Sequence, residues 1–201
     1  MRRTKEETEQ TRISIIENAV KLFLQKGFSN TKLEEIAAQA NVTRGAIYWH
    51  FKDKLDIVND LVETEHQNLT KLLKNLFEEN ISAIDKIDRI VTEIVKNFFE
   101  NKAFRDFIEL TWFKIEYTQF LKLFTTKSEL NDYFIRILTS IVGEAKNQGN
   151  IKNEINELDV AITITNMING MYRMYFILPD QINTKEEAMS TFNSYLKLIK
   201  T

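Results

Sequence analysis

A single proline, Pro179, interrupts the 201 residues, and only five glycines accompany it. With so few backbone breakers, and apolar residues recurring at three-and-four spacing, the chain reads as all-α, about nine helices joined by short connections. The first runs over about 9–26, with Ile13, Ile16, Val20 and Phe23 on its apolar stripe. Gly27 stops it by taking a positive φ. A short second helix buries Leu33, Ile36, Ala37 and Ala40. Asn41 then tolerates the left-handed turn, and Thr43 caps a third helix over 44–50. A long fourth helix starts near residue 53. Further helices are expected over about 83–101, 103–123, 127–148, 157–177 and 184–200.

Two short helices joined by about three residues form the helix-turn-helix pattern, in which the second helix enters the DNA major groove. The stretch "VTRGAIYWHFKDK" at 42–54 places Tyr48, Trp49, His50 and Phe51 side by side. At helical spacing such a run fans around the axis, so the rings cannot all face one core. Ile47 and Phe51, four apart, are expected inward. Arg44 can fork onto guanine O6 and N7, and the Tyr48 phenol can bond a phosphate. His50 and Lys54 sit where phosphate contacts gather, Trp49 flanks the groove edge, and Gly45 and Ala46 remove bulk. Charge agrees: residues 1–54 hold 10 Lys/Arg against 7 Asp/Glu, the remainder 17 against 22. The competing reading is an amphipathic hairpin whose Tyr48 and Trp49 are surface anchors.

Residues 27–54, "GFSNTKLEEIAAQANVTRGAIYWHFKDK", closely resemble the DNA-binding module of the tetracycline-repressor (TetR) family. The likeness is densest over 42–54, where it resembles the AcrR-like, multidrug-efflux branch. It continues weakly through "FKIEY" at 113–117 and "LPDQ…KEEA" before the last helix. Two positions depart from the family pattern. Asn41 stands where a glycine is usual, and Lys32 where a small hydroxyl would cap helix two, adding a cation beside DNA. The resemblance implies a homodimeric, all-helical, cytoplasmic transcriptional repressor. Its DNA-binding domain would span 1–54 and its effector-binding, dimerising domain 55–201. The operator set carried over is Thr43, Arg44, Gly45, Ala46, Tyr48, Trp49, His50 and Lys54, with Lys32 beside them. The partners implied are a near-palindromic operator, a small hydrophobic effector and a second copy of the chain, and the controlled operon is a multidrug efflux one. A regulator of a metabolic or lipid operon, or an effector-independent DNA-binding protein, is the alternative.

In the region beyond 54, residues 157–177 are apolar nearly all round, so one face calls for a second cover. Ile164, Ile168, Tyr172 and Tyr175, with Phe192, Tyr195 and Leu196 of the last helix, are the dimerisation candidates; full burial inside one subunit is the other possibility. On helix 103–123, Glu109 and Glu116 are seven apart and are expected to share a face with Trp112, Phe113 and Phe120. Carboxylates among aromatic walls suit a lipophilic cation; a solvated outer stripe is the alternative. His66 falls on the apolar stripe of helix four, either as a satisfied core histidine or as a pocket group. The effector candidates are thus Val62, His66, Leu69, Phe98, Glu109, Trp112, Phe113, Glu116 and Met171. With no cysteine and two histidines, thiol chemistry and zinc fingers are excluded, and no metal site or cofactor is expected. No phosphate-binding glycine loop or nucleophile motif supports an enzyme. No stretch reads as a membrane span.

Overall fold

The computed structural model describes residues 4–116, 118–119, 129–180 and 184–201, with the backbone alone at 129–131. Among them are nine α-helices: α1 Lys5–Lys26, α2 Leu33–Gln39, α3 Arg44–His50, α4 Lys54–Glu78, α5 Ala83–Glu100, α6 Lys102–Glu109, α7 Glu129–Asn147, α8 Glu157–Ile177 and α9 Lys185–Ile199. The helices group into two compact units. Met1–His66 with Asp106–Thr126 forms the first, and Gln67–Arg105 with Lys127–Thr201 the second. No described helix is long and apolar enough to cross a membrane.

The first unit is started and stopped by local chemistry. Thr4 caps α1 in a reciprocal box with Glu7, and Gly27 ends the helix at φ 85°. The Thr31 hydroxyl, buried, donates to the Gly27 carbonyl at 2.9 Å and fastens the loop that follows. Ile15, Ala19 and Phe23 of α1 are fully buried, as is Ile36 of α2, and the Phe23 and Phe28 rings lie 5.1 Å apart. α2 packs on both α1 and α3.

In the second unit α5, α7, α8 and α9 pack on one another. Ile87, Ile90, Val91, Ile94, Val95 and Phe98 form a buried stripe on α5 at three-and-four spacing. α7 contributes Leu138, Ile141, Val142 and Ala145. Lys146 of α7 pairs with Glu157 at 2.7 Å and donates to the Ile155 carbonyl at 2.8 Å, which holds the start of α8.

One expectation needs correction. The segment expected as one helix over 103–123 is interrupted, its first α-helix ending at Glu109. Leu110–Lys114 is a π turn, and Ile115 is extended at φ −97°, ψ 135°. The Ile115 amide bonds the Leu110 carbonyl, five residues back, and the Thr111 hydroxyl takes the Phe107 carbonyl at 2.8 Å. Residues 120 and 121, assigned to the same helix, lie outside the described residues, as do parts of both weak likenesses, at 117 and 181–183. On α8 and α9, Ile164, Ile168, Tyr172, Phe192 and Leu196 are buried within the single chain, while Tyr175 and Tyr195 are half-buried. α8 packs on α5, α7 and α9.

Candidate functional site

The turn between α2 and α3 is built as its residues dictate. Asn41 sits at φ 54°, and the Val42 amide donates to the Ala37 carbonyl at 2.9 Å. The Thr43 hydroxyl accepts from the Ala46 amide at 3.1 Å, capping α3. Of α3's seven residues only Ile47 is buried, and Phe51, just past its end, is 1% exposed. One anchor and its partner four residues on are enough to seat the helix. The rest of its surface is left outward: Trp49 is 71% exposed, Tyr48 45% and the Arg44 side chain 74%. His50 is half-buried, with the Trp49 ring edge-on at 4.6 Å. A methyl group added at Gly45 would meet nothing nearer than the Thr43 hydroxyl at 4.0 Å. The chain's own packing therefore does not require glycine there.

Charged side chains around this face are organised by contacts that sequence spacing did not reveal. Glu34 of α2 accepts from the Tyr48 hydroxyl at 3.2 Å, and its carboxylate lies 3.4 Å from the Arg44 guanidinium. Arg44 in turn stands 5.7 Å from the Tyr48 ring centre. Hydrogen bonding from its own backbone amide, then from Tyr48, with the cations Arg44 and Lys32 nearby, holds the Glu34 carboxyl below its ordinary range against the opposing pull of burial. Lys32 is the N-cap residue of α2, but an ammonium cannot accept a hydrogen bond. The Glu35 carboxylate serves instead, accepting from the Lys32 amide at 3.0 Å while pairing with Lys26 at 2.7 Å.

Lys54 has an internal role. Its ammonium donates to the carbonyls of Phe28 at 2.6 Å and Ser29 at 3.2 Å, and lies 4.7 Å from the Phe28 ring centre. Burial lowers its pKa, and Glu116 and Glu35 oppose that shift. Arg12 of α1 pairs with Asp60 of α4 and stacks 5.3 Å from the Phe51 ring centre. Burial raises the Asp60 pKa, with Arg12 pulling the other way. These contacts join α1, the loop after it, α3 and α4 into one body that carries the exposed face.

The effector candidates divide between the units. Val62, His66, Glu109, Trp112, Phe113 and Glu116 belong to the first, and Leu69, Phe98 and Met171 to the second. Val62, Phe98 and Met171 are buried, His66, Leu69 and Trp112 half-buried, and Phe113 exposed. The premise that Glu109 and Glu116 share one helical face fails, because the helix ends between them. The π turn brings Lys114 to 3.4 Å from Glu109. Glu116 is exposed and takes a hydrogen bond from the Ser29 side chain, which lowers its pKa with help from Lys54. In the second unit the rings are close: Phe98 lies 4.8 Å from Tyr172, 5.0 Å from Tyr175 and 6.0 Å from Phe176.

A helix-turn-helix that presents an outward arginine, tyrosine and tryptophan on a helical body defines a DNA-binding transcriptional regulator. Residues 15–61 match the family described as bacterial regulatory proteins, tetR family. Over 204 aligned residues the chain is 28% identical to the HTH-type transcriptional regulator TtgR of Pseudomonas putida, covering 100% of this chain and 96% of that one. Two solved structures share the fold. NalD of Pseudomonas aeruginosa, described as the secondary repressor of the MexAB-OprM multidrug efflux pump, matches at TM-score 0.82 and 22% identity over 98% of both chains. The complex of SmeT with triclosan matches at TM-score 0.83 and 20% identity, over 96% of this chain and 92% of the other. SmeT is described as the repressor of a Stenotrophomonas maltophilia multidrug efflux pump. Residues 15–61 thus carry the DNA-binding module of the tetR family, and along its whole length the chain is similar to a regulator of the helix-turn-helix type.

Proposed function

We propose that the chain is a cytoplasmic, homodimeric repressor of a multidrug efflux operon, released from a near-palindromic operator by a small hydrophobic effector. The observation that carries the reading is α3: anchored through Ile47, it turns Arg44, Tyr48 and Trp49 to solvent in front of Gly45 and Ala46. In this reading residues 1–54 act as the DNA-binding domain. Thr43, Gly45, Ala46 and His50 shape the contact, Arg44 reads a base edge, and Lys32 adds positive charge beside the phosphates. Lys54 positions the loop after α1.

Two relatives described as repressors of multidrug efflux pumps support the operon assignment, and the triclosan complex of one supports a hydrophobic effector. In the second unit Leu69 is half-buried, as are Tyr175 and Phe176 beside the buried Phe98, and these are the apolar side chains such a ligand would meet. With Glu109 and Glu116 already partnered, a preference for cations no longer follows. Self-association is expected because paired recognition helices demand matched half-sites. α8 leaves Leu158 and Ile162 exposed for it, and α9 leaves Leu198.

The test starts with a duplex selected by the protein from a random library. Footprinting is expected to show two symmetric half-sites bound by a dimer. Triclosan is expected to weaken that complex by roughly 5- to 150-fold, and the duplex to weaken triclosan binding by the same factor, since coupling is reciprocal. A single unsymmetrical site bound by a monomer overturns the dimeric reading. A duplex affinity indifferent to triclosan and to a panel of other apolar aromatics overturns induction.

A further inference from the structure

Glu34 is an exposed carboxylate on the face that the preceding section assigns to a polyanion, where an acidic group works against binding. It is also the group that Arg44 and Tyr48 both engage, at 3.4 Å and 3.2 Å, from a different helix. A carboxylate oxygen and a phosphate oxygen are the same kind of acceptor for a guanidinium or a phenol. We infer that Glu34 is a specificity-determining residue: it stands in for DNA phosphate in the free protein, withholding Arg44 and Tyr48 from random-sequence DNA and yielding Arg44 only to the base edge of a cognate site. The inference rests on the DNA-reading role of α3.

Arg44 exchanges one partner for another when DNA binds. Random-sequence binding is held by phosphates. There, moving Arg44 from Glu34 to a phosphate trades one anionic oxygen for another and strands the carboxylate beside the backbone. The trade gains little, so Arg44 and Tyr48 stay on Glu34. At a cognate guanine the guanidinium makes two parallel bonds to O6 and N7, which outcompete a single contact at 3.4 Å. Glu34 thus suppresses the sequence-independent part of binding more than the sequence-reading part. Its position suits this role: in α2 the N-cap amide is already bonded by Glu35, and the Glu34 carboxylate, bonded to its own amide, still reaches Tyr48 and Arg44.

Glu34→Gln removes the charge and keeps an acceptor for Tyr48. The experiment measures wild type, Glu34→Gln, Arg44→Ala and the double variant on a random duplex and on a duplex selected by wild type, across a salt series. Because Glu34 is exposed, melting curves are expected to coincide. For Glu34→Gln, random-duplex affinity is expected to rise about 3- to 10-fold at low salt, with its salt slope steeper by up to about one unit, the signature of one more phosphate contact. On the selected duplex the slope stays the same and affinity changes by about 2-fold or less, so the specificity ratio falls. In the Arg44→Ala background most of the random-duplex gain disappears. Unchanged random-duplex affinity and slope overturn the inference. So does a Glu34→Gln loss confined to one base position, which makes Glu34 a reader of a cytosine amine. If wild type retains no duplex at all, the DNA-binding reading itself fails, a result distinct from either.

Discussion

On α3 of the first unit, Tyr48 and Trp49 stand 45% and 71% exposed, while in the second unit Phe98 is fully buried against Tyr172, Tyr175 and Phe176. The two units spend the same kind of side chain in opposite ways. In the second, rings meet edge-to-face or tilted at 4.8–6.0 Å and supply cohesion. In the first, cohesion comes from Ile47, Phe51 and the aliphatic residues beneath them, and the outward rings add little to the fold. A seven-residue helix needs only one buried residue and a neighbour at its end to be held, so most of its surface is available for recognition. The contrast separates residues that keep the protein folded from residues left at its surface.

The largest expected effect breaks that contrast in the second unit. Phe98→Ala is expected to cost about 3–5 kcal/mol in denaturant unfolding, whereas Trp49→Ala changes stability by about 0.5 kcal/mol or less. Equal losses for the two would show that Trp49 is structural after all. Next in size, Arg44→Ala is expected to lose roughly 1–3 kcal/mol on the selected duplex and to blur preference at one base position, with unfolding unchanged. A uniform loss on every sequence would make Arg44 a phosphate contact instead.

Lys54 lies between the two categories, and Lys54→Met sharpens the comparison. The methionine keeps the apolar stem near the Phe28 ring but loses the bonds to the Phe28 and Ser29 carbonyls. A stability loss of about 1 kcal/mol is expected, read by tryptophan fluorescence, since both tryptophans, Trp49 and Trp112, lie in the first unit. Unchanged stability, with a salt slope flatter by about one unit on all sequences, would instead place Lys54 on a phosphate. The smallest effect concerns acid. The pKa of Glu116 is lowered by the Ser29 hydrogen bond, so its contribution is present above the ordinary glutamate range and lost as pH falls through the lowered value. Glu116→Gln is expected to flatten that acid-side decline in the first unit slightly. A decline identical to wild type would show that the Ser29 contact adds nothing.

What the sequence determined by itself is what neighbours along the chain decide. Gly27 at φ 85°, Asn41 at φ 54°, the Thr43 cap and the inward pair Ile47 and Phe51 all follow from backbone sterics, one hydrogen bond or helical spacing, each acting within a few residues. The outward rings Tyr48 and Trp49 were legible for the same reason, because four rings in a row cannot share one core. Tertiary structure decided what depends on elements far apart in sequence. Glu34 finds Arg44 and Tyr48 from another helix, and Lys54 turns back to carbonyls more than twenty residues earlier. The apolar surround of α8 announced burial on more than one side but could not say what covers each side; within the chain that is α5, α7 and α9. The π turn after Glu109 and the extended Ile115 interrupt the helix, so a face counted at the regular helical period does not carry from Glu109 to Glu116. Local rules specify where helices begin, end and point. Which charge meets which, and which apolar face meets water, is settled only when distant segments compete for the same partners.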